Sequence, residues 1–114
     1  MNNSHGDRYD AVDFESRISP RKRLAIPVKV RIEGAKAQPS KLRDLSLSGF
    51  SASTMHRVAI GSVCWLTLPA REAMPARVVW CDHGLVGCVF DKAIGTVTYN
   101  AILERWEAQG GSRR

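Results

Sequence analysis

The sequence predicts an all-β domain with a single C-terminal helix, arranged as a six-stranded antiparallel barrel. Three observations carry this. Short segments in which apolar and polar residues alternate recur along the chain, the period of a strand with one buried face. Clusters of Gly, Pro, Asp and Ser separate them at intervals too short for the crossover helices of a parallel sheet. One segment near the end changes to a helical period.

Residues 1–19 are polar with no sustained period and are expected to form a flexible N-terminal segment, in which Tyr9, Val12 and Phe14 support at most a short helical turn. Pro20 opens the domain, expected over residues 20–108. The first strand is predicted from Ile26, with Val28, Val30 and Ile32 on one face and Lys29 and Arg31 on the other; Pro27 suits an edge or entry position. A connection through Gly34 and Pro39 leads to a second strand that runs through Asp44 and Ser46. The alternation breaks at Ser48-Gly49, where a tight reversal costs least. A third strand follows from Phe50 to Ser53, and a fourth over Val63 to Leu68. The fifth covers Met74 to Cys81, with Ala76, Val78 and Trp80 on one face. Asp82-His83-Gly84 reads as a hairpin loop. The sixth strand spans Leu85 to Phe90, with Gly87 marking a bulge or a close backbone approach. Tyr99, Ile102, Leu103 and Trp106 then fall at i, i+3, i+4 and i+7, so an amphipathic helix is expected from Thr96, its predicted N-cap, to Ala108. Residues 109–114 are a tail beginning near Gly110-Gly111.

Composition narrows the function classes. A chain of 114 residues, 44% hydrophobic and 25% charged, supports one modest core. No apolar run approaches the roughly 18 residues of a membrane span, and Met1–Asp7 lacks the features of a signal peptide, so a cytoplasmic location is expected. Cys64, Cys81 and Cys88 are odd in number, have no zinc-ligand spacing and sit in apolar stretches, as buried free thiols do. His5, His56 and His83 are scattered among expected loops and tails. No nucleophile–base–acid set, carboxylate pair or phosphate-cradling glycine loop emerges, so neither an enzymatic role nor a metal or cofactor is expected. Trp65 and Trp80 read as core, which removes the aromatic platform that single-stranded nucleic acid requires.

The net charge of +6 is unevenly placed. Asp7, Asp10, Asp13 and Glu15 precede Arg17, Arg21, Lys22, Arg23, Lys29 and Arg31, among which no acid falls. A basic arm leading into the first strand seeks phosphate, acidic protein or anionic lipid. Asp44, Ser46 and Gly49 form the other candidate cluster: if Asp44 and Ser46 project from one strand face beside a bare glycine, they make a shelf of acceptors, a hydroxyl and backbone amides. Asp, Ser and Gly are also ordinary turn formers, so the motif alone is equally a hairpin connection. Guanidinium groups bind phosphate through paired hydrogen bonds and stack on flat bases, each charge-assisted bond contributing about 1.5–3 kcal/mol. Arm and shelf together suit a ligand that carries both phosphates and purines.

With Arg21-Lys22-Arg23 ahead of Ile26-Pro27-Val28, and Asp44-Leu45-Ser46-Leu47-Ser48-Gly49-Phe50 following, the sequence resembles the two signature regions of PilZ domains. Arg77-Val78-Val79-Trp80 and Gly87-Cys88-Val89-Phe90 agree, and the resemblance covers about Pro20 to Trp106. It implies a PilZ-type barrel that binds the bacterial second messenger cyclic di-GMP, with Arg21, Arg23, Asp44, Ser46 and Gly49 as ligand-binding residues and Arg17 and Lys22 as further candidates. It also implies relay to a downstream protein partner, with phosphates drawing the arm onto the barrel, in functions such as motility or biofilm formation. The Asp-x-Ser-x-x-Gly motif is complete, whereas the Arg-x-x-x-Arg motif departs from the family pattern: counting back from Ile26 puts Ala25 where its second arginine is expected. Arg23 then serves from a neighbouring position, or Arg17 and Arg21 serve from a shifted loop. The alternative is a degenerate domain that binds no nucleotide and acts as a protein-interaction adaptor.

Overall fold

The computed structural model describes residues 22–110. Six antiparallel strands, β1 (Lys22–Ile32), β2 (Gln38–Leu45), β3 (Gly49–Ser53), β4 (Val63–Thr67), β5 (Met74–Asp82) and β6 (Leu85–Phe90), precede one helix, α1 (Thr96–Ala108). They close in the order β1-β2-β3-β6-β5-β4, the barrel that the alternation predicts. Closure leaves no strand edge unpaired around the ring, which removes the usual aggregation hazard of a small sheet.

Inward-facing residues fill the barrel. Leu24, Ile26, Val28 and Val30 from β1, Leu42 and Leu45 from β2, Phe50 and Ala52 from β3, Cys64 and Leu66 from β4, Ala76 and Val78 from β5, and Val86, Cys88 and Phe90 from β6 form one buried cluster. Phe50 and Phe90 meet inside it as a tilted pair with centroids 5.3 Å apart. Ile102 and Leu103 of α1 join the same cluster, with Tyr99 and Trp106 packed against it, as the helical spacing predicts. The helix lies at the barrel end where β1 starts and β4 stops, with Trp106 and Arg105 near Ile26 and Leu68. Burying each large apolar side chain contributes about 1.5–3 kcal/mol, so this helix is part of the core.

Several expectations are corrected. The first strand starts at Lys22 rather than Ile26, so part of the basic run belongs to the barrel wall. Of the two positions expected for Pro27 it takes the entry rather than the edge: it pairs with Lys41, and the ladder to β4 begins only at Lys29, past the position lacking an N–H. Gly95, not Thr96, is the N-cap of α1, and no side chain caps it. Cys64 and Cys88 are buried free thiols, but Cys81 is only half-buried and its Sγ accepts a hydrogen bond from the Val58 N–H at 3.4 Å. His83 and Gly84 form a two-residue hairpin loop with φ of 52° and 77°, the mirror-image turn that matches strand twist. The proposed helical turn at Tyr9, Val12 and Phe14, and Arg17 and Arg21, lie outside the described residues.

Candidate functional site

An uninterrupted ladder alternates without exception, so a register shift changes which side chains share a face. Among the described residues this barrel has three shifts, in β1–β2 between Arg23 and Ile26, in β2–β3 between Leu42 and Asp44, and in β5–β6 between Val78 and Trp80. All three adjoin a single cross-strand row. Arg23 pairs with Asp44, Asp44 with Ser51, Ser51 with Gly87, and Gly87 with Trp80, through β1, β2, β3, β6 and β5 in turn. Continued without a break from Ile26↔Leu42, the first ladder would have set Leu24 against Asp44; the bulge sets Arg23 there. Continued from Leu42↔Ala52, the second would have set Phe50 against Asp44; the bulge sets Ser51 there. Continued from Val78↔Cys88, the third would have paired Trp80 with Val86 of the core; instead the indole crosses to the outer face over Gly87. Bulges re-aim side chains in this way at functional positions.

Two links of the row are made by side chains, Ser51 to Asp44 and Trp80 over Gly87. The Ser51 hydroxyl donates to Asp44 Oδ2 at 2.5 Å, a charge-assisted bond that orients the carboxylate. Ser51 is 3% exposed although it faces outward, because its neighbours cover it. Asp44 is half-buried and Trp80 partly exposed. A Cβ on Gly87 would stand 2.1 Å from the Trp80 ring, so only glycine lets the indole lie flat against the strand. Asp44, Ser46, Gly49, Ser51 and Trp80 together line a shallow cleft of about 10 Å³. An acceptor pair beside an aromatic face offers a base both an edge to hydrogen-bond and a surface to stack on.

Two other motif residues, Ser46 and Gly49, hold the turn beside the row. Ser46 does not share a strand face with Asp44: β2 ends at Leu45, and Ser46 is buried in the turn. Its backbone N–H donates to the Gly49 carbonyl at 2.9 Å, and its hydroxyl accepts the Gly49 N–H at 3.2 Å. Ser46 and Gly49 therefore clasp the β2–β3 turn. A Cβ on Gly49 would meet the Cys88 carbonyl oxygen at 2.2 Å, so the close approach of the β6 backbone requires glycine here, where the residue also lines the cleft. The turn is tied down further by Phe90 N–H to Ser48 O at 2.8 Å and Ile94 N–H to Leu47 O at 2.9 Å. Ala25 is exposed on β1 beside the bulge and does not pair with Asp44.

Sequence reasoning missed Ser51, Gly87 and Trp80 as members of this site. The one available signal was Gly87, an unbranched residue inside an apolar strand, which called for a close neighbour. The expectation that Trp65 and Trp80 are core is overturned: both are only partly buried. Trp65 faces outward between buried Cys64 and Leu66, with the Arg31 guanidinium 3.9 Å from its ring centroid.

Comparison with protein families gives a match to the PilZ domain over residues 15–106, most of the chain. The chain belongs to the PilZ domain family. PilZ domains are generally receptors for cyclic di-GMP. The barrel, the turn clasp and the bulged row thus belong to a fold whose family function is nucleotide binding. No curated protein matches the chain.

Among the described residues of this PilZ domain, the two buried thiols belong to the core and not to the row. The Cys64 and Cys88 sulfurs lie 3.6 Å apart in the core and share a hydrogen bond. That bond, together with burial, holds the Cys88 thiol far above its ordinary pKa, so it stays protonated. Among the described residues no group of His, Cys, Asp and Glu could hold a metal ion, and no helix is long and apolar enough to cross a membrane.

Proposed function

We propose that this PilZ domain binds cyclic di-GMP along the bulged row, as a cytoplasmic second-messenger receptor without catalytic activity. The observation that carries the reading is the convergence of all three register shifts on Arg23, Asp44, Ser51, Gly87 and Trp80. Arg21 and Arg23 supply guanidinium groups to the phosphates, and Lys22 and Arg17 add positive charge nearby. Asp44, oriented by Ser51, accepts from the edge of a guanine, and the Trp80 indole supports a base face. Ser46 and Gly49 contribute by holding the turn that positions Asp44. In this reading Ala25 does not cost the site its second arginine, because the bulge gives Arg23 the register position opposite Asp44.

The family function supports a signalling consequence. Phosphates held by Arg21 and Arg23 draw the segment preceding β1 onto the barrel, and the altered surface is read by a downstream protein partner. Calorimetric titration with cyclic di-GMP, with GTP as control, tests the binding. Saturable micromolar or tighter binding that Arg23→Ala abolishes and Ala25→Ser leaves unchanged supports the register argument. Absence of heat, with unmoved amide signals at Asp44 and Ser51, identifies a degenerate domain that acts as a nucleotide-independent adaptor.

A further inference from the structure

The barrel end opposite α1 is open. There the β1–β2 turn and the long β3–β4 connection stand apart around a cavity of about 590 Å³, within the range of small-molecule sites. Its floor is apolar: Val30 and Val86 come from the buried core, and Ile32 and Val58 pack against it. The β3–β4 connection is pinned away from the β1–β2 turn along its length. Thr54 N–H donates to Gly84 O at 2.8 Å, Val58 N–H to Cys81 Sγ at 3.4 Å, and Gly61 N–H to Val78 O at 2.8 Å. The opposite wall is held by Glu33 N–H to Val63 O and Ala35 N–H to Ile32 O, both 2.9 Å. The gap is therefore built by hydrogen bonds to two different parts of the barrel.

The charge of the rim selects among occupants. Lys36 on one wall and Arg57 on the other are exposed cations, His56 stands beside Arg57, and among the described residues no carboxylate lines the cavity. Glu33 lies outside the lining, as does Asp82, which is paired with His83 at 2.9 Å. Exposed Met55 adds an adaptable apolar side chain at the mouth. An apolar floor under a polar rim whose charged groups, Lys36 and Arg57, are cations fits a molecule with an apolar tail and one anionic head. We propose that this cavity binds a monomeric alkyl carboxylate, or a chemically equivalent single-chain acid, at a site separate from the bulged row.

The test uses the full chain, ¹⁵N-labelled, titrated with decanoate below its aggregation concentration and with butyrate and decylammonium as comparisons. The expected result is saturable one-site binding of decanoate, with amide shifts centred on Lys36, Thr54, Val58 and Val86 and none at Asp44 or Gly87. Lys36→Glu combined with Arg57→Glu, two exposed positions that leave the core untouched, weakens decanoate about tenfold with an unchanged circular dichroism spectrum. Val58→Trp, which fills the cavity, weakens it as well. Equal affinity for decylammonium or for butyrate overturns the proposal, as do shifts outside the cavity, or binding seen only with anionic phospholipid vesicles. Weakened cyclic di-GMP binding in Asp44→Ala with decanoate binding intact keeps the two sites distinguishable.

Discussion

Trp65 and Trp80 both stand on the outside of the barrel, and their surroundings differ. Trp65 reaches the surface by plain alternation between Cys64 and Leu66, and its ring is occupied by the Arg31 guanidinium. Trp80 reaches the surface because a bulge carries it across, and its ring lies over Gly87 beside an oriented acid. On the first wall a cross-strand cation lies over the indole. On the second a bare glycine lies under it, with an oriented carboxylate lining the same cleft. An exposed aromatic is thus informative through what lies against it.

The largest expected effect tests the base of the second wall. Gly49→Ala forces a Cβ against the Cys88 carbonyl, a backbone group that cannot swing aside, and should destabilise the fold by about 3 kcal/mol in urea unfolding. A loss under about 1 kcal/mol would show that the β3–β6 contact is looser than the geometry implies. Next comes Asp44→Ala, which removes the charged acceptor and should weaken cyclic di-GMP by about 2 kcal/mol, roughly thirtyfold, in calorimetry. Unchanged affinity would remove Asp44 from the site.

Trp80→Ala should weaken cyclic di-GMP by about 1.5 kcal/mol through lost stacking, while Trp65→Ala leaves affinity unchanged. Equal effects of the two substitutions would erase the contrast between the walls. Gly87→Ala meets a side-chain ring that can swing aside, so its stability cost should be about 1 kcal/mol, well below that of Gly49→Ala. Fluorescence of Trp80 in a Trp65→Phe, Trp106→Phe background should report the displaced ring by a red shift. The smallest effect belongs to the first wall: a double-mutant cycle on Arg31 and Trp65 should return a coupling of about 0.5–1 kcal/mol.

Much of the fold was legible because alternation is local. Val28, Val30, Leu66, Ala76, Val78, Val86 and Cys88 each declare an inward face through their neighbours, and Ile102 and Leu103 declare the buried stripe of α1. The Asp-x-Ser-x-x-Gly motif was legible as a reversal with an acid before it, which the turn at Ser46–Gly49 matches. The division of labour inside the motif was not. Ser46 and Gly49 serve the turn and the β6 contact, and only Asp44 faces the row.

By itself the sequence determined the number and order of the strands, the helix, most of the core residues and the basic run, since each follows from periodicity or composition along a short window. The tertiary structure alone decided which residues share the outer row. A bulge is one extra residue on one of two paired strands, so it exists only as a mismatch between partners far apart in the chain. Nothing local to Arg23, Asp44 or Trp80 records it, and the count back from Ile26 to Ala25 therefore missed the alignment of Arg23 with Asp44.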